Sequence, residues 1–202
     1  MRRPLIAAVA LTAVTSLALV GTAAARRSGP VTLSLTTVTR PPVAALDDAT
    51  IVAIFDAANT ADIETGQLAA ERGKSKEVRE FGAMLVRDHQ HVRQLGRDLA
   101  HKLGVTPTPP EDDAGAKAHA EAMKTLRSTR GAAFDHAFLQ HEAAFHKAVL
   151  EAVQTTLLPA IQNPELKALV VKVAPAFEAH RLAAQSLDKQ LAARSGTSDR
   201  YE

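Results

Sequence analysis

The sequence predicts an all-α protein, a four-helix bundle, on three observations. Four long segments repeat apolar residues at helical spacing. Most of them are bounded by recognisable capping and stop residues, and the connections between them run short, long, short. Strand-like alternation occurs once, at Val31, Leu33 and Leu35, and nothing else in the chain offers that stretch a partner.

The chain opens on a leader. Arg2 and Arg3 give a positive start, residues 5–20 form an apolar run, and Ala23 to Ala25 make a small-residue cleavage site. Residues 1–25 therefore read as a secretory signal peptide, cut before Arg26. A membrane-spanning helix needs about 20 apolar residues, more than this run holds, so no transmembrane segment is expected in the mature chain. The Arg2-Arg3 pair also fits a twin-arginine signal, though its flanking residues match poorly. The expected location is thus outside the cytoplasm, in the periplasm, cell envelope or extracellular space. Residues 26–46 carry Pro, Thr and Ser but no acid, and read as a flexible tether.

The helical domain is expected over 47–194, with a disordered tail at 195–202. Its first helix spans about 48–72, with Asp47 or Asp48 as cap and Gly73 as terminator. Ser75 caps a second helix, with Glu77 and Glu80 in its first turn, that runs to about 103 and stops at Gly104. "VTPTPPEDDAG" then forms a Pro-rich loop no helix can cross, followed by a short helix over about 116–126. A third long helix covers about 131–157. Asn163 caps the fourth, with Pro164 at its first position and an end near 194; Pro175 should kink it. Two antiparallel hairpins joined by a long crossover make the connectivity of ferritin-like bundles.

Charge and cysteine count narrow the function. There are 24 basic and 22 acidic residues, and removal of Arg2 and Arg3 with the leader leaves 22 against 22. No basic patch is interleaved with aromatics, Trp is absent and Tyr occurs once, so nucleic acid is not an expected partner. With no Cys, the domain must be held by its core, and any metal must be bound by His, Asp or Glu.

Each long helix carries a polar break in its apolar stripe. The second reads Val78, Phe81, Leu85, Asp88, Val92, Leu95, Leu99, with His89 beside Asp88. The third reads Phe134, Phe138, His141, Phe145, Ala148, Ala152, and the fourth Leu166, Val170, Val173, Phe177, His180, Ala184, Leu187, Leu191. On the first, Ile54, Ala61 and Leu68 share a face with Glu64, while a second stripe runs through Phe55 and Ala58. Burying an unpaired charge costs several kcal/mol, so such groups pair or bind an ion. Folding the second hairpin about residue 161 places His141 level with about 181, beside His180. Folding the first about 73–74 places Asp88 opposite about 59, leaving Glu64 about five residues away, roughly 7 Å.

"NTADIETGQLAAERGKSKEVREFGAMLVRDHQH", "GAAFDHAFLQHEAAFHKAV" and "PAFEAH" resemble, in order and over about 48–192, the bacterial family called domain of unknown function 4142. The resemblance implies an exported protein of ferritin-like fold; the family has no agreed activity. Its recurrent positions fall on Glu64, Asp88, His89, Asp135, His141 and His180. Gln140 stands where the family has Asp, and Phe138 where it has Tyr, which removes one carboxylate and one hydroxyl.

The sharper expectation is a metal site of His89, His141 and His180 with Glu64 or Asp88 as carboxylate. Such donors suit a divalent transition metal, Zn, Mn, Fe or Cu. The blander one is a structural or protein-interaction bundle whose His and acid residues form an internal hydrogen-bond network. A ferritin-type di-iron enzyme fits poorly, since no Glu-x-x-His occurs in the chain. No hydrolase signature or phosphate-binding Gly-rich loop is present, and binding of a metal or small ligand is expected rather than catalysis. His101, His119, His136 and His146 read as solvated or half-exposed.

Overall fold

The computed structural model describes residues 46–198 except 112, with side chains to residue 195. The expected leader, the expected tether short of Leu46 and residues 199–202 lie outside the described residues. Among those described, every regular element is helical. α1 (Asp48–Arg72) is capped by Asp47, whose Oδ1 accepts the Thr50 N–H at 2.8 Å. Ser75 caps α2 (Lys76–Leu103), which ends at Gly104 in the left-handed region, φ 65°. The crossover carries α3 (Ala114–Ser128), two residues longer at each end than its periodicity suggests.

The third long segment is not one plain helix. α4 (Gly131–Ala152) passes into a π-helical turn (Val153–Leu157) and then α5 (Leu158–Ala160). Apolar spacing does not reveal one extra residue in a turn. The β-branched Val153, Thr155 and Thr156 crowd there, and Thr155 Oγ1 turns back to the Glu151 carbonyl at 2.7 Å. Asn163 Oδ1 caps the last helix, α6 (Pro164–Ser198), by accepting from Glu165 N at 2.8 Å and Leu166 N at 3.2 Å. α6 runs four residues past the expected end at 194, so residues 195–198 of the expected tail are helical.

Two apolar cores lie at opposite ends of the helices. One gathers Ile51 and Phe55 of α1, Ala100 of α2, Leu157, and Val170 and Phe177 of α6. The other gathers Ala69, Leu85, Leu126, Phe134, Phe138 and Ala184. α1 and α2 approach closely where glycines face each other: a Cβ on Gly82 would stand 2.6 Å from the Gly66 carbonyl.

The α1–α2 and α5–α6 turns are each gripped by a carboxylate from the other hairpin. Asp135 of α4 accepts the N–H groups of Lys74 and Ser75, both at 2.8 Å, in the α1–α2 turn. Asp48 of α1 accepts those of Gln162 and Asn163, at 2.9 and 2.8 Å, in the α5–α6 turn. Asp135 is thus a structural clamp. Together the two clamps fix the levels at which the hairpins meet, and so what lies between the cores.

Candidate functional site

Between the two apolar cores the inward positions turn polar at one level. α1 contributes Asn59, Asp62 and Thr65, α2 His89, α4 Glu142 and His146, and α6 His180; none is more than 7 % exposed. Asn59 faces His89 as the folding of the first hairpin requires, with Oδ1 3.0 Å from His89 Nδ1.

Hydrogen bonds assign the imidazole protons. Asn59 donates through Nδ2 to the Phe55 carbonyl at 2.8 Å, so its Oδ1 is the acceptor and His89 Nδ1 carries the proton. His146 Nδ1 donates to the Glu142 carbonyl at 3.0 Å. His180 Nε2 donates to the Asp88 carboxylate at 3.2 Å. In neutral imidazoles that leaves His89 Nε2, His146 Nε2 and His180 Nδ1 as bare lone pairs. Two of them, His89 Nε2 and His180 Nδ1, face each other at 3.2 Å, and His146 Nε2 has no partner. A ring nitrogen from each of the three lies within 4.8 Å of the others. Facing lone pairs repel unless a cation stands between them.

Behind the rings sits an acid pair. Asp62 Oδ2 is 3.4 Å from His89 Nδ1, and Glu142 Oε2 is 3.5 Å from His146 Nδ1. Thr65 Oγ1 bonds Glu142 Oε1 at 2.7 Å, while both Asp62 oxygens and Glu142 Oε2 have no hydrogen-bond partner. These atoms, with His146, form a second group of metal-ligating span.

Burial sets the charge states. It drives His89 down to about 2 and His146 to about 4, with neighbouring imidazoles adding to the shift. It lowers His180 too, against the upward pull of Asp88. Burial lifts Glu142 to about 7, and burial with the adjacent Glu142 charge raises Asp62 well above the usual carboxylate range. Near neutral pH the imidazoles are uncharged nitrogen donors and the acid pair retains a proton.

Of the five residues singled out from the sequence, His89 and His180 meet at the centre. Asp88 lies at the rim, where it holds the His180 ring rather than facing the lone pairs. His141 is half-buried on the shoulder of α4, stacked on Phe145 at 5.8 Å, because that helix turns Glu142 and His146 inward instead. Glu64 is 48 % exposed and pairs with His119 of the crossover at 2.8 Å. His146, read as solvated, is fully buried and is the ring shared by both groups. Asn59, Asp62, Thr65, Glu142 and His146 escaped sequence reasoning. The signal for two of them was present: Glu142 and His146 stand at i, i+4 on one helix face.

A family model described as "Domain of unknown function (DUF4142)" matches residues 34–187. No curated protein and no solved structure gives a significant match.

Proposed function

The chain belongs to the DUF4142 family, and on that premise we propose that it binds one divalent transition-metal ion through His89, His146 and His180. We read the helices as a ferritin-like four-helix bundle, exported as its leader suggests, with the ion at mid-height. The observation that carries this reading is the convergence of three imidazole rings, a nitrogen of each within 4.8 Å of the others, with the bare His89 Nε2 and His180 Nδ1 facing each other. Two imidazole nitrogens each about 2.05 Å from a tetrahedral ion stand about 3.3 Å apart, close to the 3.2 Å between His89 Nε2 and His180 Nδ1. Each ring's other nitrogen is tied to Asn59, the Glu142 carbonyl or Asp88, as metal-bound histidines require for orientation. Nitrogen donors favour Zn or Cu over Mn among the expected metals. Asp62 and Glu142 supply negative charge within reach of His146.

Elemental analysis of the chain, purified without chelator or His-tag, tests the proposal. About one equivalent of metal is expected, and its loss from a still-helical His146→Ala/His180→Ala variant. No metal in the wild type, and none retained after adding Zn, Mn, Fe or Cu, would overturn it. A second reading, an internal hydrogen-bond network, draws on the Thr65–Glu142 bond and the neutral charge states. It expects the same variant to lose stability while the wild type never holds metal.

A further inference from the structure

Two backbone irregularities occur on the helices that frame the Phe55 core. The π turn Val153–Leu157 widens the end of the α4 segment. On α6, Pro175 has no N–H to offer the Val171 carbonyl, and its ring crowds that carbonyl. Between them opens a surface groove of about 340 Å³, lined mostly by apolar side chains such as Leu150, Val153, Val171 and Pro175 and also by Gln154 and Glu178. Beneath it lies a cavity of about 70 Å³, and the two share Leu150, Val153 and Ala174 as walls.

The cavity leads inward. Its deep wall is made by Phe55, Ala58, Asn59, Val173 and Phe177. Phe177 packs edge-on against His89, centroids 5.0 Å apart, and lies 5.7 Å from His146. Asn59 is the one polar side chain in the wall, and each end of its amide is bonded, Nδ2 to the Phe55 carbonyl and Oδ1 to His89. A water needs two to four polar partners, and among these side chains it would meet only Asn59, already bonded at both ends of its amide; apolar cavities of this kind stay dry and take up apolar guests. A polar or charged molecule would leave its hydrogen bonds behind on entering.

We infer that groove and cavity form a binding channel for a small apolar molecule, a dissolved gas or short hydrocarbon, which it brings to Phe177 and Asn59 at the edge of the histidine cluster. The channel is a property of the apolar core and stands whether or not a metal is bound.

Xenon is the probe, applied to the chelator-treated full chain and read by methyl NMR. Saturable shifts are expected at Val149, Val153, Val170 and Val173, which all line the cavity, and none at Val78 or Leu139 in the opposite core. Ala58→Leu fills the deep wall and Ala174→Leu narrows the shared doorway. In each variant that keeps its helical circular dichroism, xenon affinity should fall at least tenfold. If only one folds it decides, and if neither folds the wild-type shift pattern decides. Absence of saturable shifts, shifts spread over both cores, or undiminished affinity in a folded variant would overturn the inference.

Discussion

His180 gains its orientation from Asp88, which accepts its Nε2–H and turns Nδ1 toward His89. Asp88→Ala should therefore weaken metal binding by about 10–100-fold without abolishing it, the usual effect of losing the partner behind a ligand. His146→Ala should remove binding altogether, and Glu64→Ala should leave it unchanged, since Glu64 spends its charge on His119 outside the core. Competition titration against a chromophoric chelator separates the three; equal losses for Glu64→Ala and Asp88→Ala would refute the assignment. At this scale the sequence shows which residue types interrupt the core but not which member of an adjacent pair points inward. Asp88 and His89 differ by one position, about 100° around the helix. Asp62 was hidden for a related reason: its stripe, Phe55, Asn59, Asp62, Gly66, Ala69, carries three residues that are not apolar side chains.

Helix ends were legible because caps are local chemistry. Asp47, Gly73, Ser75, Gly104 and Asn163 each act within about one turn of their own position, and α1 and α2 begin and end where the first four indicate. The inward face was less legible because a heptad template drifts about 20° every seven residues on a straight helix. On α2 the buried residues Val78, His89 and Ala100 recur at eleven, as do Leu85 and Gly96, so Asp88, Leu95 and Leu99 rotate off the centre. On α4 Asp135 and His146 keep the same interval. α6 holds the heptad as read, with Leu166, Val173 and His180 all buried. Between elements, Asp135 accepts two backbone N–H groups and bridges the hairpins. Asp135→Ala should destabilise by about 2–4 kcal/mol, because two bonds to a carboxylate are lost and the part-buried Lys74 and Ser75 N–H groups lose their partner. Gly82→Ala should cost about 2 kcal/mol or more, as its new methyl meets the α1 backbone, which cannot yield as a side chain would. Urea midpoints measure both; an unchanged midpoint for either would mean that the helices pair differently.

The helical unit as a whole places titratable groups between two apolar cores, so its stability must depend on pH. His89 (about 2), His141 and His146 (each about 4) and His180 all have folded values below that of an unfolded histidine, about 6.5. Each adds stability that is present above about pH 6.5 and is lost as pH falls, because the unfolded chain takes up the proton first. Asp62 and Glu142 act in the opposite sense. Their folded values are raised, so between about pH 7 and 4.5 the folded chain holds protons the unfolded chain lacks, and acidification favours it. His89, His141 and His146 outnumber the two acids and His180 acts in the same sense, leaving at least about one proton in favour of the unfolded state near pH 5.5. Chelator-treated protein should lose on the order of 3 kcal/mol between pH 7 and pH 5. Metal adds to this at the neutral end: at 100 times its dissociation constant it should contribute about 2.7 kcal/mol and raise the melting temperature in step with its concentration. Urea titrations at the two pH values, with and without Zn, read both effects. Greater stability at pH 5 in the chelated protein would mean that the acid pair rather than the imidazoles governs the polar layer. A melting temperature indifferent to Zn at pH 7 would instead favour the internal hydrogen-bond network.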